Sequence, residues 1–199
     1  RHGPHHEHPP HRVPYRANVW AMHALGVSSV FGPCASGSLQ AHVAPGHVVI
    51  PDQLVDRTWG RPDTFFDGPT THHVTFADPY DAELRAAALA AARADDEVTV
   101  HDGGTVVCVQ GPRFSTRAES RWYGGQGWEV VNMTQHPEAV LCREAGLRYA
   151  ALALITDYDA GLEGTGIPSV TQEEVFAFFE ANVARLRALL VDAIPRLVR

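Results

Sequence analysis

The sequence contains no lysine. All 16 of its basic residues are arginine, they face 23 acidic residues, and the net charge is −7. No segment concentrates these arginines, whereas a nucleic-acid-binding protein needs a concentrated basic face. Hydrophobic runs are also short, and none approaches the roughly 20 apolar residues of a transmembrane helix. We therefore expect neither nucleic acid nor a membrane as a partner.

Cysteine is scarce. Cys34, Cys108 and Cys142 are widely spaced, and no CxxC pair occurs. A small, odd number of cysteines is typical of proteins from reducing compartments, so we expect a cytoplasmic protein.

Regularly spaced metal ligands are also lacking. Five histidines lie within the first eleven residues, but their spacing is irregular and prolines separate them. Zinc sites need ligands at fixed spacing on rigid elements, so we predict a polar loop here and no metal.

The composition is that of an average globular protein, with 45% hydrophobic and 20% charged residues in 199. This length fits one α/β domain with a core of its own. Predicted strands and helices alternate along the chain, which favours a mixed, mostly parallel central sheet flanked by helices. No repeat or linker divides the sequence, so we predict a single domain over residues 1–199.

Hydrophobic periodicity and helix-capping residues predict where helices and strands lie along the sequence. Two further segments are predicted to be irregular. Gly32–Leu39 (GPCASGSL) is predicted to be a turn whose N–H groups form an anion-binding nest, and Asp52–Phe76 a long functional loop. Helices are predicted over Ala17–Leu25, Asp81–Ala94, Thr116–Gly124, Pro137–Ala145 and Val170–Val198. Strands are predicted over Val27–Phe31, His47–Pro51, Glu129–Asn132 and Tyr149–Thr156, with one or two more over Val98–Gln110.

Polar residues follow two of these strands, at the end of the sheet where α/β proteins bind ligands. Thr134 follows one strand, and Asp157 and Asp159 follow another. Residues two apart in an extended segment point the same way, so both carboxylates could enter one pocket. An ionised carboxylate could accept a hydrogen bond from an exocyclic amine, and a protonated carboxyl could donate one to a ring nitrogen. Helix capping or simple solvation of the loop is the alternative.

Five segments together resemble the trimeric purine nucleoside phosphorylase family, and most of all its branch acting on S-methyl-5′-thioadenosine. They are RHG…VPYRANVWAMHALGV, GSL, DQLVDRT, GPRFSTRAES and VNMTQHPEAVLCREAGLRYAALALITDYD. The resemblance implies a pentosyltransferase that cleaves this nucleoside with inorganic phosphate, in purine and methionine salvage. The products would be adenine and 5-methylthioribose-1-phosphate. It also implies a homotrimer or hexamer, and neither a metal nor an organic cofactor.

The same resemblance implies roles for individual residues. Cys34 stands where the branch usually has a threonine, so the backbone of Cys34 and Ala35 is expected to carry that contact. Gln172 replaces a valine and could bond a 5′-hydroxyl, which would make adenosine a substrate. Phosphate would be bound by Arg1, His2, Cys34, Ala35 and Thr134, and the nucleoside by Phe114, Met133, Asp157, Asp159, Gln172, Val175 and, from a neighbouring subunit, His73.

Asp157 is the predicted catalytic residue, since a carboxylate there accepts from a 6-aminopurine and repels a 6-oxopurine. Three alternatives remain open. They are a 6-oxopurine phosphorylase, a nucleoside hydrolase that uses water, and an inactive nucleoside-binding subunit. The last arises because the family places strands and a Gly-rich phosphate loop upstream of the Arg-His-Gly motif, and this sequence begins at Arg1.

Overall fold

The computed structural model describes residues 1–161, 166, 168–169 and 171–197. Within these residues, seven strands form one sheet in the order β3-β5-β6-β1-β7-β2-β4. The pairs β3–β5, β5–β6, β1–β7 and β2–β4 are parallel, and β1–β6 and β2–β7 are antiparallel. The predicted mixed, mostly parallel sheet is therefore confirmed. The strands are β1 (Ser29–Ser38), β2 (Val48–Ile50), β3 (Gln53–Arg57), β4 (Val100–Asp102), β5 (Thr105–Val109), β6 (Val130–Asn132) and β7 (Arg148–Asp157).

Five α-helices flank the sheet, and each lies close to its predicted range. Thr116, the first residue of one predicted helix, and Thr171 each close a capping box with the glutamate three residues on. Val170 and Val198, the predicted limits of the last helix, lie outside the described residues. The helices are α1 (Tyr15–Ala24), α2 (Ala82–Arg93), α3 (Arg117–Gly125), α4 (Gln135–Glu144) and α5 (Gln172–Ala193).

Helices cover both faces of the sheet, and each face has a hydrophobic core of its own. Leu152 and Leu154 of β7 pack with α2 and α5, whereas Tyr149 and Ala151 pack with α1 and α4. A strand buried on both faces is apolar along its whole length, so polar side chains appear only where it ends. On β7 that end is Thr156 and Asp157, which places them beside the site described below.

The predicted turn at Gly32–Leu39 was wrong. The segment through Ser38 continues β1, and its residues pair with β7 from Ser29 to Gly37, with one irregularity at Ser36 and Gly37. Pairing with the long buried strand β7 overrides the weak strand propensity of Gly, Pro and Ser. Residues of an extended, paired strand do not form a nest, so the predicted anion-binding nest is absent from this described segment.

The predicted loop Asp52–Phe76 also needs correction, since it begins with the edge strand β3. Leu54 and Val55 pair in parallel with Val106 and Val107 of β5. The remainder, up to α2, has no regular helix or strand.

All three cysteines are free thiols in the interior. No helix among residues 1–161 and 171–197 is both long and apolar enough to cross a lipid bilayer.

Candidate active site

A cavity of about 620 Å³ lies beside β1, β6 and β7, the strands at the centre of the sheet. The structure brings the predicted site residues to this one cavity, with a single exception. The exception is His73, which is exposed on the segment between β3 and α2. The predicted residues that line the cavity are Arg1, His2, Cys34, Ala35, Phe114, Met133, Thr134, Asp157, Asp159, Gln172 and Val175.

Arg1 and His2 are both fixed by hydrogen bonds to the protein. The Arg1 guanidinium donates to both oxygens of Glu138, at 2.6 Å each, and to the Pro33 carbonyl at 2.7 Å. Burial alone would lower the pKa of Arg1, but the Glu138 carboxylate raises it, so the cation is permanent. His2 Nδ1 lies 2.8 Å from the carbonyl oxygen of His8, and burial lowers the pKa of this imidazole.

Thr134 is held by its neighbour Asn132. The Asn132 Oδ1 accepts from the backbone N–H of Thr134 at 2.7 Å and from that of Gln135 at 2.9 Å. The Asn132 Nδ2 donates to the Ala35 carbonyl at 3.2 Å. One amide therefore ties β1 to the turn that carries Thr134. Asn132 was not among the predicted site residues, although asparagine commonly accepts a hydrogen bond from the backbone N–H two residues on.

Cys34 makes its contacts away from the cavity as well as lining it. Its sulfur accepts from the Gln135 side chain at 3.3 Å and lies 3.7 Å from the Leu152 carbonyl. Burial raises the pKa of this thiol, which therefore stays protonated and neutral. A thiol with these contacts is a poor hydrogen-bond donor to an anion. That the backbone of Cys34 and Ala35 binds phosphate instead stays a prediction.

Asp157 has a defined orientation. Its Oδ2 accepts from the Thr156 hydroxyl and its Oδ1 from the backbone N–H of Asp159, both at 2.7 Å. Gly37 leaves room for it, because a Cβ there would lie 3.0 Å from Asp157 Oδ1. Burial raises the pKa of Asp157, as proton donation to a ring nitrogen would require.

Asp159 leaves an oxygen for a ligand. It is 3% exposed, and its Oδ2 makes no hydrogen bond within the described part of the chain. Burial raises its pKa, while the nearby hydroxyls of Ser120 and Ser115 lower it. The buried Ser115 Oγ is likewise without a hydrogen-bond partner there and lines the same cavity. Because the Ser115 hydroxyl lies close enough to lower the pKa of Asp159, the two groups form one polar patch that faces the cavity.

Apolar side chains form another part of the lining. Phe114 is 37% exposed, and Val175 and Phe176 on α5 also face the cavity. Gly111 is needed beside Met133, because a Cβ at that glycine would lie 2.6 Å from the Met133 sulfur. A flat ring and a thioether fit such surfaces. The polar Gln172 is part of the same lining.

Two residues that the sequence analysis did not single out organise this site. Arg61 is buried, and its guanidinium donates to the backbone carbonyls of Met133, Val109 and Gln110 at 2.9, 3.3 and 2.8 Å. Glu138 is buried beneath Arg1. No local pattern could have revealed them, because their partners are distant in sequence.

Within the part of the chain that the structure describes, no group of three or more His, Cys, Asp or Glu side chains is placed so that it could hold a metal ion.

Comparison with known proteins places these observations in context. The family model described as "Phosphorylase superfamily" matches residues 1–195. An S-methyl-5′-thioadenosine phosphorylase of Mycolicibacterium smegmatis is 56% identical over 195 residues, which cover 98% of this chain and 71% of that protein. A purine nucleoside phosphorylase of Streptomyces coelicolor is 53% identical over 206 residues, covering 99% and 72%.

Solved structures agree with the fold. A variant of the adenosine/methylthioadenosine phosphorylase from Schistosoma mansoni in complex with adenine superposes with a TM-score of 0.91 at 36% identity. The match covers 98% of this chain and 75% of that one. Another variant of that protein, in complex with methylthioadenosine, gives a TM-score of 0.88 at 36% identity, with 98% and 73% covered.

Proposed function

The chain belongs to the phosphorylase superfamily, and from that premise we propose that it is a nucleoside phosphorylase acting on S-methyl-5′-thioadenosine. The reaction would transfer the 5-methylthioribosyl group to inorganic phosphate and release adenine. The observation that carries the proposal is a cavity lined by both a fixed arginine and two carboxylates, the half-buried Asp157 and the buried Asp159, one oxygen of which accepts no hydrogen bond from the described residues.

Phosphate is the proposed nucleophile. Arg1, His2 and Thr134, with the backbone at Cys34 and Ala35, would hold it beneath the sugar. A phosphate oxygen would form the new bond to C1′ as the C1′–N9 bond breaks and its electron pair moves into the purine. Positive charge on the sugar in the transition state would be stabilised by the adjacent anion.

Asp157 and Asp159 are the proposed purine-recognition pair. A carboxylate accepts from the exocyclic 6-amino group, and a protonated carboxyl donates to a ring nitrogen of the departing purine. Burial raises the pKa of both carboxyls, which favours the protonated form that the second role requires. Phe114 would pack on the purine, and Met133 on the ribose.

The 5′ end of the sugar would face Val175, Phe176 and Gln172. The first two suit a methylthio group, and the amide suits a 5′-hydroxyl. We propose that adenosine is a second substrate. The mixed lining supports this proposal, as does the dual name of the Schistosoma relative.

The remaining parts of the proposal concern the assembly. We propose that residues 1–199 form one nucleoside phosphorylase domain that works in the cytoplasm as a homotrimer, with His73 reaching a neighbouring subunit. Phosphate serves as co-substrate, and no metal or organic cofactor takes part.

The test is release of adenine from S-methyl-5′-thioadenosine and from adenosine, with and without phosphate, by the 199-residue chain. We expect adenine only with phosphate, together with a sugar 1-phosphate. Release without phosphate would instead identify a hydrolase. Activity on inosine-type substrates alone would identify a 6-oxopurine enzyme, and no release by a folded sample would contradict the proposal.

A further inference from the structure

Arg1, the arginine of the proposed phosphate site, forms a bidentate ion pair with the carboxylate of Glu138. Arg1 Nε donates to one oxygen of Glu138 and Arg1 Nη2 donates to the other, both at 2.6 Å. Nη1 donates to the Pro33 carbonyl at 2.7 Å. Among the described residues, these contacts commit three of the five guanidinium N–H groups and leave one N–H on each Nη nitrogen. Such a pair is what an oxyanion accepts in a bidentate contact.

Glu138 is itself fixed. It is 7% exposed, and its Oε1, which already accepts from Arg1, also accepts from the Tyr149 hydroxyl at 2.9 Å. Burial raises the pKa of Tyr149, so the phenol remains protonated and continues to donate. The carboxylate therefore cannot turn away from the guanidinium without losing a second, buried hydrogen bond.

The backbone leaves space for this arrangement at one position on β1. A Cβ at Gly32 would lie 2.1 Å from the Tyr149 hydroxyl oxygen and 2.7 Å from the ring carbon that carries it. A side chain at position 32 would therefore displace the Tyr149 hydroxyl. Gly32 thus leaves room for Tyr149, whose hydroxyl donates to Glu138. Glu138 in turn accepts from Arg1.

We propose that Glu138 is a positioning residue for phosphate: it fixes Arg1 so that the two free N–H groups of Arg1 face the anion. The inference rests on the proposed function. Glu138 does not line the cavity, whereas Arg1 does, so Glu138 acts through Arg1. A free arginine side chain must give up much rotational freedom to bind, and a preformed one does not.

A second effect of the Glu138 carboxylate acts in the opposite direction, because its negative charge also repels phosphate. Glu138→Gln removes that repulsion and would tighten binding if charge dominated. The same change presents an NH₂ group to the guanidinium in place of an acceptor, so Arg1 loses its bidentate support and turns. We expect positioning to dominate, which makes the sign of the change diagnostic.

The experiment measures steady-state kinetics of the 199-residue chain with phosphate and nucleoside varied separately. In Glu138→Gln the KM for phosphate should rise at least about tenfold, with kcat and the nucleoside KM within about twofold. Tyr149→Phe, which removes one bond to Glu138 and no charge, should raise the phosphate KM by about threefold. The matched control is Glu144→Gln, on the same helix, whose carboxylate instead accepts from Thr64 and from the Phe65 backbone.

A double-mutant cycle separates positioning from general structure. In an Arg1→Ala background, where phosphate affinity is measured by the phosphate-induced rise of Tm, Glu138→Gln should cost no further affinity, because the group it positions is gone. A penalty that persists there, or a phosphate KM that is unchanged or lower in Glu138→Gln, would overturn the proposal.

Failure of the proposed function would be distinguishable from failure of this inference. If the unmodified chain releases no purine, the function is wrong, and phosphate binding is then measured by its upward shift of Tm. At one phosphate concentration, that shift should be equal in the unmodified chain and in Glu144→Gln and clearly smaller in Glu138→Gln. An equal shift in all three would contradict the positioning role, whatever the activity.

Discussion

At the scale of single residues, the purine end of the cavity depends on how Asp157 is bonded. It accepts two hydrogen bonds, from the Thr156 hydroxyl and from the backbone N–H of Asp159. An asparagine fits the same place, because its carbonyl can accept from the backbone while its NH₂ donates to the hydroxyl. A substitution here therefore changes donor and acceptor pattern with little change in shape.

Asp157→Asn should move the substrate preference from 6-aminopurines toward 6-oxopurines. An amide NH₂ can donate to a 6-oxo group, which a carboxylate repels. We expect the ratio of kcat/KM for adenosine to that for inosine to fall by at least about a hundredfold. Asp67→Asn is the control, since that carboxylate pairs with Arg16 on the surface. An unchanged ratio in Asp157→Asn would reject the assigned role.

At the scale of elements, the sequence predicted what local signals determine. Each of the five predicted helices corresponds to an observed one, and the apolar run before Asp157 marked the buried strand β7. The segment at Gly32–Ser38 was mispredicted because its strand character comes from pairing with β7, more than 100 residues away in sequence. Arg61 and Glu138 were missed for the same reason, as their partners are assembled only by the fold.

A pair of histidines at the edge of the sheet should make stability depend on pH. His47 Nδ1 on the segment before β2 lies 2.9 Å from His101 Nε2 on β4. Burial lowers the pKa of both imidazoles, and neighbouring histidines lower it further. The unfolded chain therefore binds protons more readily, so the free energy of unfolding should fall as the pH drops below about 6.5.

Chemical denaturation between about pH 5 and 8 checks this expectation. His101→Gln keeps a side-chain donor to His47 but does not titrate, so the loss of stability in acid should be smaller than in the unmodified chain. His23→Gln, at an exposed position on α1, is the control. An acid dependence equal in all three proteins would show that the pair does not contribute.

At the scale of the whole molecule, part of the cavity wall is open to solvent in the described part of the chain. Phe114 and Phe176, both part of its lining, are 37% and 44% exposed. His73, the one predicted site residue that does not line the cavity of its own chain, is exposed on a long segment between β3 and α2. These observations support a site completed by a neighbouring copy.

Subunit complementation tests that arrangement. His73→Ala should lower catalytic efficiency by about tenfold through loss of one polar contact, and Arg1→Ala should abolish phosphorolysis. In trimers co-assembled from equal amounts of the two variants, about a quarter of the sites combine an intact Arg1 with a neighbour's intact His73. Activity should therefore rise to about a quarter of the unmodified level, several times the mean of the separate variants. If His73 served its own chain, no subunit would carry both residues, and the mixture would give only that mean.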